Sequence, residues 1–276
     1  MSKYAYLGPV GTFTEAALKK ITTHKDDCVP YANVTAVLDA VRTGEADFGL
    51  VPIENSVEGV VARTLDELAT GEHLEIIAET QLPVTFALMT MPGKTAINTI
   101  ATHPHAESQC RTYVARTYPH ADIITTASTA AAAEALTRGE FDAAIAAPIA
   151  ASHYGLTVVA DNIGDNSNAV TRFVLVRKPT TTPARTGYDR TSLVLYIDGA
   201  RAGALLEILQ VFADNKVNMT FIQSRPTGRE LGHYHFIIDV EGHVQDESIA
   251  ASLEQLRKIC DEVRFLGSYP RERQSA

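Results

Sequence analysis

The sequence predicts an α/β protein in two parts: a two-lobed region built on mostly parallel sheets, then a smaller domain with one antiparallel sheet and two helices. Three observations carry this. Strand-like and helix-like runs alternate from the N-terminus to residue 176, the Pro- and Thr-rich stretch R-K-P-T-T-T-P-A-R-T-G-Y-D-R at 177–190 breaks the pattern, and a different order of elements follows it. With 45% hydrophobic and 21% charged residues in 276, the chain has enough apolar material for a sizeable core. The expected boundaries are 1–178 for the first region (lobes of about 1–80 with 160–178, and 81–159), 179–190 for the linker and 191–270 for the last domain.

The first strand, A-Y-L-G at 5–8, runs into G-P-V-G-T-F-T-E-A-A-L. Gly8 and Gly11 permit a tight turn, Thr12 is a helix N-cap, and Glu15 three residues later completes a capping box. Such a turn offers free N–H groups and the positive end of a helix dipole, a place for a carboxylate or phosphate. It is neither G-x-G-x-x-G nor a Walker loop, so it carries no nucleotide signature.

The segment A-V-L-D-A-V-R-T-G-E-A-D-F-G-L-V-P-I at 36–53 is echoed in outline by A-A-A-E-A-L-T-R-G-E-F-D-A-A-I-A-A-P-I at 131–149. In each, an amphipathic helix ends at a glycine, Gly44 or Gly139, and G-E-x-D leads into an apolar strand closed by Pro-Ile. Two such units imply two lobes. Q-L-P-V-T-F-A-L-M-T-M at 81–91 crosses from the first to the second, and D-N-S-N-A-V-T-R-F-V-L-V at 165–176 returns. Parallel α/β sheets bind ligands at the carboxyl ends of their strands, so paired lobes share a cleft and the returning strand starts near it.

Three further stretches offer chemistry at that cleft. In V-P-I-E-N-S-V-E-G-V-V at 51–61, a core strand ends at Pro52 and Glu54, Asn55 and Ser56 follow at once. Asn and Ser are donors for an oxygen-rich ligand, and Glu54 is an acid or a group that holds another residue; the same residues also suit a capped turn. In H-P-H-A-E-S-Q-C at 103–110, Gln109 lies one helical turn beyond His105, facing cleft or water. In N-A-V-T-R-F-V-L-V at 168–176, Thr171 and Arg172 open a buried strand, a position that by itself reads as an ordinary solvated strand end.

Bulk properties exclude several classes. With 24 basic against 33 acidic residues, net −9, and no basic stripe interleaved with aromatics, nucleic acid is not a partner. No signal-like segment and no run of membrane-spanning length is present, which predicts a cytoplasmic protein with no membrane partner. Cys28, Cys110 and Cys260 are odd in number and widely spaced, as in a reducing compartment. His103, His105 and Cys110 are zinc-ligand types, but no second cluster stands at ligand spacing, so no metal is expected. His233 and His235 share one strand face without forming a metal motif. There is no Gly-x-Ser-x-Gly elbow, P-loop or lysine in an apolar stretch, which leaves hydroxyls, amides, a carboxylate and Arg172 for chemistry.

After the linker come a strand T-S-L-V-L-Y-I-D, a helix from Gly203 to about Asn215, and a strand V-N-M-T-F-I-Q-S. A turn T-G-R-E-L-G, a strand H-Y-H-F-I-I-D-V, a helix from about Asp246 to Cys260 and a strand E-V-R-F-L-G-S-Y complete it. Strand-helix-strand-strand-helix-strand is the ferredoxin-like order.

Together these blocks resemble the prephenate dehydratase family. G-P-x-G-T-F-T-E-A-A at 8–17, V-P-I-E-N-S at 51–56, H-P…Q-C at 103–110 and T-R-F-V-L-V at 171–176 match its signature segments in order. The C-terminal part resembles an ACT regulatory domain through G-A-L-L-E-I-L at 203–209 and Q-S-R-P at 223–226. The resemblance implies a catalytic region similar to periplasmic binding proteins, holding prephenate in its cleft. It also implies conversion to phenylpyruvate, CO2 and water without a cofactor, and, with the first block near Tyr4, no chorismate mutase domain. Thr171, Arg172 and Glu54 are then the catalytic candidates. Thr171 hydrogen-bonds or protonates the leaving hydroxyl, which needs a polarising neighbour because a threonine hydroxyl is a very weak acid. Arg172 orders the site or pairs with a substrate carboxylate. Thr12, Asn55, Ser56, Gln109 and Phe173 are the substrate-binding candidates.

The resemblance further implies L-phenylalanine as effector at Gly203, Ala204, Leu205, Ser224, Arg225 and Pro226, and association of copies through the small domain into a homodimer or homotetramer. Gln223 stands where Glu is usual and Ala202 where Pro often precedes Gly-Ala-Leu, which leaves the sign and strength of regulation open. The rival readings are an arogenate dehydratase and a non-catalytic binding protein for amino or organic acids.

Overall fold

The computed structural model describes residues 1–197, 202–227 and 234–273. The first elements are β1 (Lys3–Leu7), α1 (Phe13–Leu18), β2 (Asp27–Tyr31), α2 (Val34–Thr43), β3 (Phe48–Asn55), β4 (Gly59–Val60), α3 (Ala62–Thr70) and β5 (Glu75–Pro83). The middle of the chain forms β6 (Ala87–Thr90), β7 (Thr99–Thr102), α4 (Pro104–Gln109), α5 (Arg111–Thr117), β8 (Asp122–Thr125), α6 (Thr129–Thr137), β9 (Ala143–Ala146), α7 (Pro148–Tyr154) and β10 (Thr157–Ala160). β11 (Val170–Arg177) follows, then β12 (Asp189–Tyr196), α8 (Ala204–Asp214), β13 (Met219–Pro226), β14 (Tyr234–Glu241), α9 (Glu247–Ile259) and β15 (Glu262–Pro270).

These strands make three sheets. The first runs β2-β1-β3-β11-β5, with β4 added on β3; the second runs β10-β6-β9-β7-β8; the third runs β13-β14-β12-β15. The chain leaves the first sheet after β5 and returns to it in β11. The outgoing and returning segments touch, with Val84 N donating to Ala169 O at 2.7 Å. In the second sheet β7 pairs in parallel with β8 and β9, while β6 runs antiparallel to β9 and β10, so it is mixed. Both echo helices end as their glycines require, Gly44 at φ 80° and Gly139 at φ 70°, the left-handed region that favours glycine.

The echo diverges after Pro-Ile. Pro148 opens α7, whereas Pro52 lies inside β3, which continues to Asn55. The expected end of that strand at Pro52 is therefore corrected: a hairpin with β4, pairing Glu54 with Val60 and Asn55 with Gly59, keeps Glu54 and Asn55 in extended backbone. A proline is tolerated where no ladder N–H is needed.

By contacts the chain divides into two compact units, Met1–Val37 with Leu50–Val61 and Gln81–Phe173, and Leu38–Gly49 with Ala62–Thr80 and Val174–Ala276. The first holds two apolar clusters on the second sheet. One gathers Phe86, Leu88, Ile100 and Ile145 with Phe13 against it, and the other gathers Met89 and Leu136 with Ala132 and Ala133 of α6, Ala144 and Ala146 of β9, and Ala150 and Ala151 of α7. The second unit has its core where α8 and α9 cover the third sheet, around Leu193, Ile208, Phe212, Ile238, Leu253 and Leu256. That sheet is antiparallel at β13–β14, β14–β12 and β12–β15, the ferredoxin-like arrangement. Gly228 to Gly232 of the expected turn, and His233, lie outside the described residues.

Candidate active site

A cavity of about 500 Å³ opens in the first unit, large enough for a small organic acid. Asn55 and Thr171 reach it from the first sheet, and Glu58 to Val61 of the β3–β4 hairpin form one rim. The lining also includes Phe86 just before β6, His103 just before α4, His105 and Gln109 of α4, and Ser128 and Thr129 where α6 begins. Phe13 closes the apolar side, edge-on to Phe86 with ring centroids 5.5 Å apart.

The polar centre is Asn55 beside Thr171. Asn55 Oδ1 accepts from the backbone N–H of Val57 at 2.8 Å and of Glu58 at 2.9 Å. These two donors orient the amide, so Nδ2 is the atom that meets Thr171 Oγ1, at 2.8 Å. A hydroxyl that accepts such a bond becomes a better donor of its own proton. Thr171 is 8% exposed, so the bond works largely out of bulk water.

Arg172 is not among the residues that line the cavity and is 4% exposed; its Nε donates to Glu54 Oε1 at 2.5 Å. Glu54 is thereby paired with Arg172 and is not among the residues that line the cavity. Gln109 Nε2 donates to Glu58 Oε1 at 2.9 Å, and His105 Nδ1 lies 3.7 Å from Glu58 Oε2. Glu58 thus ties the hairpin to α4. Burial, and after it the neighbouring His105, pushes His103 below the usual imidazole value. Burial pushes the Cys110 thiol up to about 12, so it is no nucleophile near neutrality.

Other sequence candidates lie around the cavity without lining it. Thr12 caps α1: its Oγ1 accepts from Glu15 N at 3.3 Å and donates to Leu7 O at 3.1 Å. Of the turn's backbone donors, that of Gly11 is taken by the chain's own anion: Gly11 N donates to Glu15 Oε2 at 2.6 Å. Ser56 exchanges bonds with Val170, N–H to carbonyl and N–H to hydroxyl, both 2.9 Å, and so sets the start of β11. Phe173 is buried in β11.

Sequence reading passed over Phe13, Phe86, Glu58, Ser128 and Thr129. The usable signal was the echo: A-S-T before α6 follows the carboxyl end of β8, where a parallel sheet presents ligand contacts.

In the third-sheet domain, Gly203 precedes α8 at φ 88°, Ala204 is buried and Leu205 packs against the core. Ser224 and Pro226 are exposed on β13, while Arg225 makes a two-toothed pair with Asp66 of α3, Nε to Oδ1 at 2.8 Å and Nη2 to Oδ2 at 2.6 Å. Among the described residues no helix is long and apolar enough to cross a membrane.

The family model described as prephenate dehydratase matches residues 4–181, and that described as ACT domain matches 195–258. A prephenate dehydratase of Amycolatopsis methanolica is 47% identical over 272 residues, 98% of this chain and 89% of that protein. The crystal structure of prephenate dehydratase from Arthrobacter aurescens in complex with L-Phe is 48% identical, with TM-score 0.92 over 98% of this chain and 90% of that one. A more distant structure, described as GqqA, a novel type of quorum quenching acylase, is 28% identical, with TM-score 0.87 over 98% of both chains. Near-full-length identity of this order, on a chain with a hydroxyl–amide pair in its cavity, places the protein in the prephenate dehydratase family.

Proposed function

We propose that the protein converts prephenate to phenylpyruvate, CO2 and water and is regulated by L-phenylalanine. The observation that carries this is Thr171 Oγ1 at the cavity, held and polarised by the oriented amide of Asn55. Prephenate already holds the driving force: loss of the ring carboxylate as CO2 sends its bonding electrons into the ring as the ring hydroxyl departs, and the ring becomes aromatic. The protein need only assist the departing hydroxide in a preorganised, water-poor site. Thr171 gives the leaving oxygen its proton, so water departs, and solvent returns a proton to Thr171. Phe13 and Phe86 pack the forming ring, Gln109 orients the substrate, and Arg172 is kept in place by Glu54.

Residues 1–178 are the catalytic region, with lobes of about 1–80 with 160–178 and 81–159, and 191–270 are the regulatory domain, with 179–190 as linker. The L-Phe complex of the Arthrobacter relative supports the effector. Copies associate as a homodimer or homotetramer through the small domain, whose edge strand β13 exposes Ile222. The three free cysteines suit the cytoplasm.

The test is an assay with prephenate and arogenate in parallel. Phenylpyruvate from prephenate, faster than phenylalanine from arogenate, is expected. Binding without turnover would make the chain a binding protein instead, and calorimetry showing no heat with L-phenylalanine would remove the effector.

A further inference from the structure

Glu15 lies outside the cavity lining, yet its carboxylate is buried and fully engaged. One oxygen accepts from Gly11 N at 2.6 Å; the other lies 2.6 Å from His153 Nε2 and 2.9 Å from Lys19 Nζ. Burial pushes its pKa up, but the hydrogen bonds from Gly11, Lys19 and His153 outweigh that and hold the carboxyl below its ordinary value. An ionised carboxylate only accepts, so His153 is the donor. His153 belongs to α7, which follows a strand of the second sheet, whereas Glu15 belongs to α1, which follows a strand of the first.

Two more contacts seat α7 on the same turn. Tyr154 Oη donates to Val10 O at 3.1 Å, and Gly11, at φ +84°, comes so close that a Cβ there would stand 3.3 Å from the Ala150 backbone. Phe13 follows two residues later and forms the cavity wall with Phe86.

We propose that Glu15 and His153 are positioning residues of the dehydratase site: they clasp α7 to the Gly8–Phe13 turn and so keep Phe13 in the wall that receives the substrate ring. The proposal rests on the dehydratase reading. It predicts an effect on substrate binding rather than on the chemical step, because neither residue touches the reacting atoms.

The experiment is initial-rate kinetics of the full-length wild type, His153→Ala and His153→Gln with prephenate, alongside thermal unfolding of each. His153 is 29% exposed at its side chain, so both variants are expected to fold, with an unfolding midpoint lowered by no more than a few degrees. His153→Ala is expected to raise KM about tenfold while kcat stays within about twofold. His153→Gln, whose amide N–H can reach Glu15, is expected to recover most of the lost binding. A wild-type KM in His153→Ala, a fall in kcat at unchanged KM, or a Gln variant no better than Ala overturns the proposal. If the wild type does not turn over prephenate, the dehydratase reading falls and takes this proposal with it, a result separate from any difference among variants.

Discussion

Asn55 Nδ2 donates to Thr171 Oγ1 at 2.8 Å, and the amide cannot turn over without losing the two backbone donors on its Oδ1. The direction of that bond is the point of the site. It makes Thr171 Oγ1 an acceptor from the protein, which leaves its own proton for another acceptor. Thr171→Ala is expected to lower kcat by about 10²–10³, the scale of a lost general acid, while Thr171→Ser keeps most activity. Asn55→Asp is expected to be worse than Asn55→Ala, since a carboxylate would draw the threonine proton toward itself. Steady-state kcat values for the four variants check the order, and an Asn55→Asp enzyme near wild type would refute the polarising role.

Glu54 and Arg172 form a different kind of pair, one partner buried and the other about a third exposed. If Glu54 holds Arg172, Glu54→Gln keeps a hydrogen-bonding group there and is expected to retain kcat within about tenfold, with a stability loss of about 1 kcal/mol. A loss of activity comparable to Thr171→Ala would make Glu54 the acid instead. Parallel kinetics and chemical denaturation separate the two.

Arg225 belongs to the expected effector segment, yet it pairs with Asp66 of α3, the helix that begins directly after the cavity-lining Val61. Asp66→Asn releases a competitor for that guanidinium. Its kcat without effector is expected to match the wild type, and its apparent affinity for L-phenylalanine to rise several-fold. An unchanged response curve would detach this pair from regulation.

Gly267 in β15 shows how closely that strand approaches β5. Its φ is +144°, and a Cβ there would overlap the carbonyl oxygen of Ile76. Backbone cannot yield as a side-chain end does, so Gly267→Ala is expected to cost about 3 kcal/mol. Urea titration checks the figure, and a loss below about 1 kcal/mol would mean the two strands part readily.

His235 in β14 is fully buried, and neither ring nitrogen has a hydrogen-bond partner among the described residues. Burial lowers its pKa, Asp66 acts against that, and Arg225 and Arg264 add to it. The folded protein therefore binds this proton less readily than the unfolded chain, whose histidine titrates near 6.5. Stability is full above that value and falls as the pH drops below it, until the lowered folded pKa is reached. His235→Phe is expected to flatten this acid-side slope, and denaturation midpoints from pH 7 to about 5 will show it.

Much of the fold was legible because local rules and global architecture agree. Gly44 and Gly139 end their helices in the left-handed conformation foreseen for them, and Gly203 and Asp246 stand immediately before the predicted small-domain helices. The site was legible in part. Thr171, Asn55 and Gln109 reach the cavity, while Thr12 and Ser56 spend their hydrogen bonds on neighbouring backbone and Phe173 is buried. A Thr-x-x-Glu pattern looks the same whether its carboxylate faces a ligand or turns back on its own glycine, so no spacing rule separates the two.

By itself, then, the sequence determined the order of elements, the two lobes and their small partner domain, the signature blocks and the candidates for chemistry. Those features depend on neighbours a few residues apart, which periodicity, caps and breakers report. Tertiary structure alone decided that Asn55 serves Thr171 from 116 positions away, that Glu15 meets His153 across 138, and that Arg225 answers to Asp66 across 159. Hydrogen bonds act over about 3 Å, and only the folded backbone brings atoms so distant in the chain within that reach.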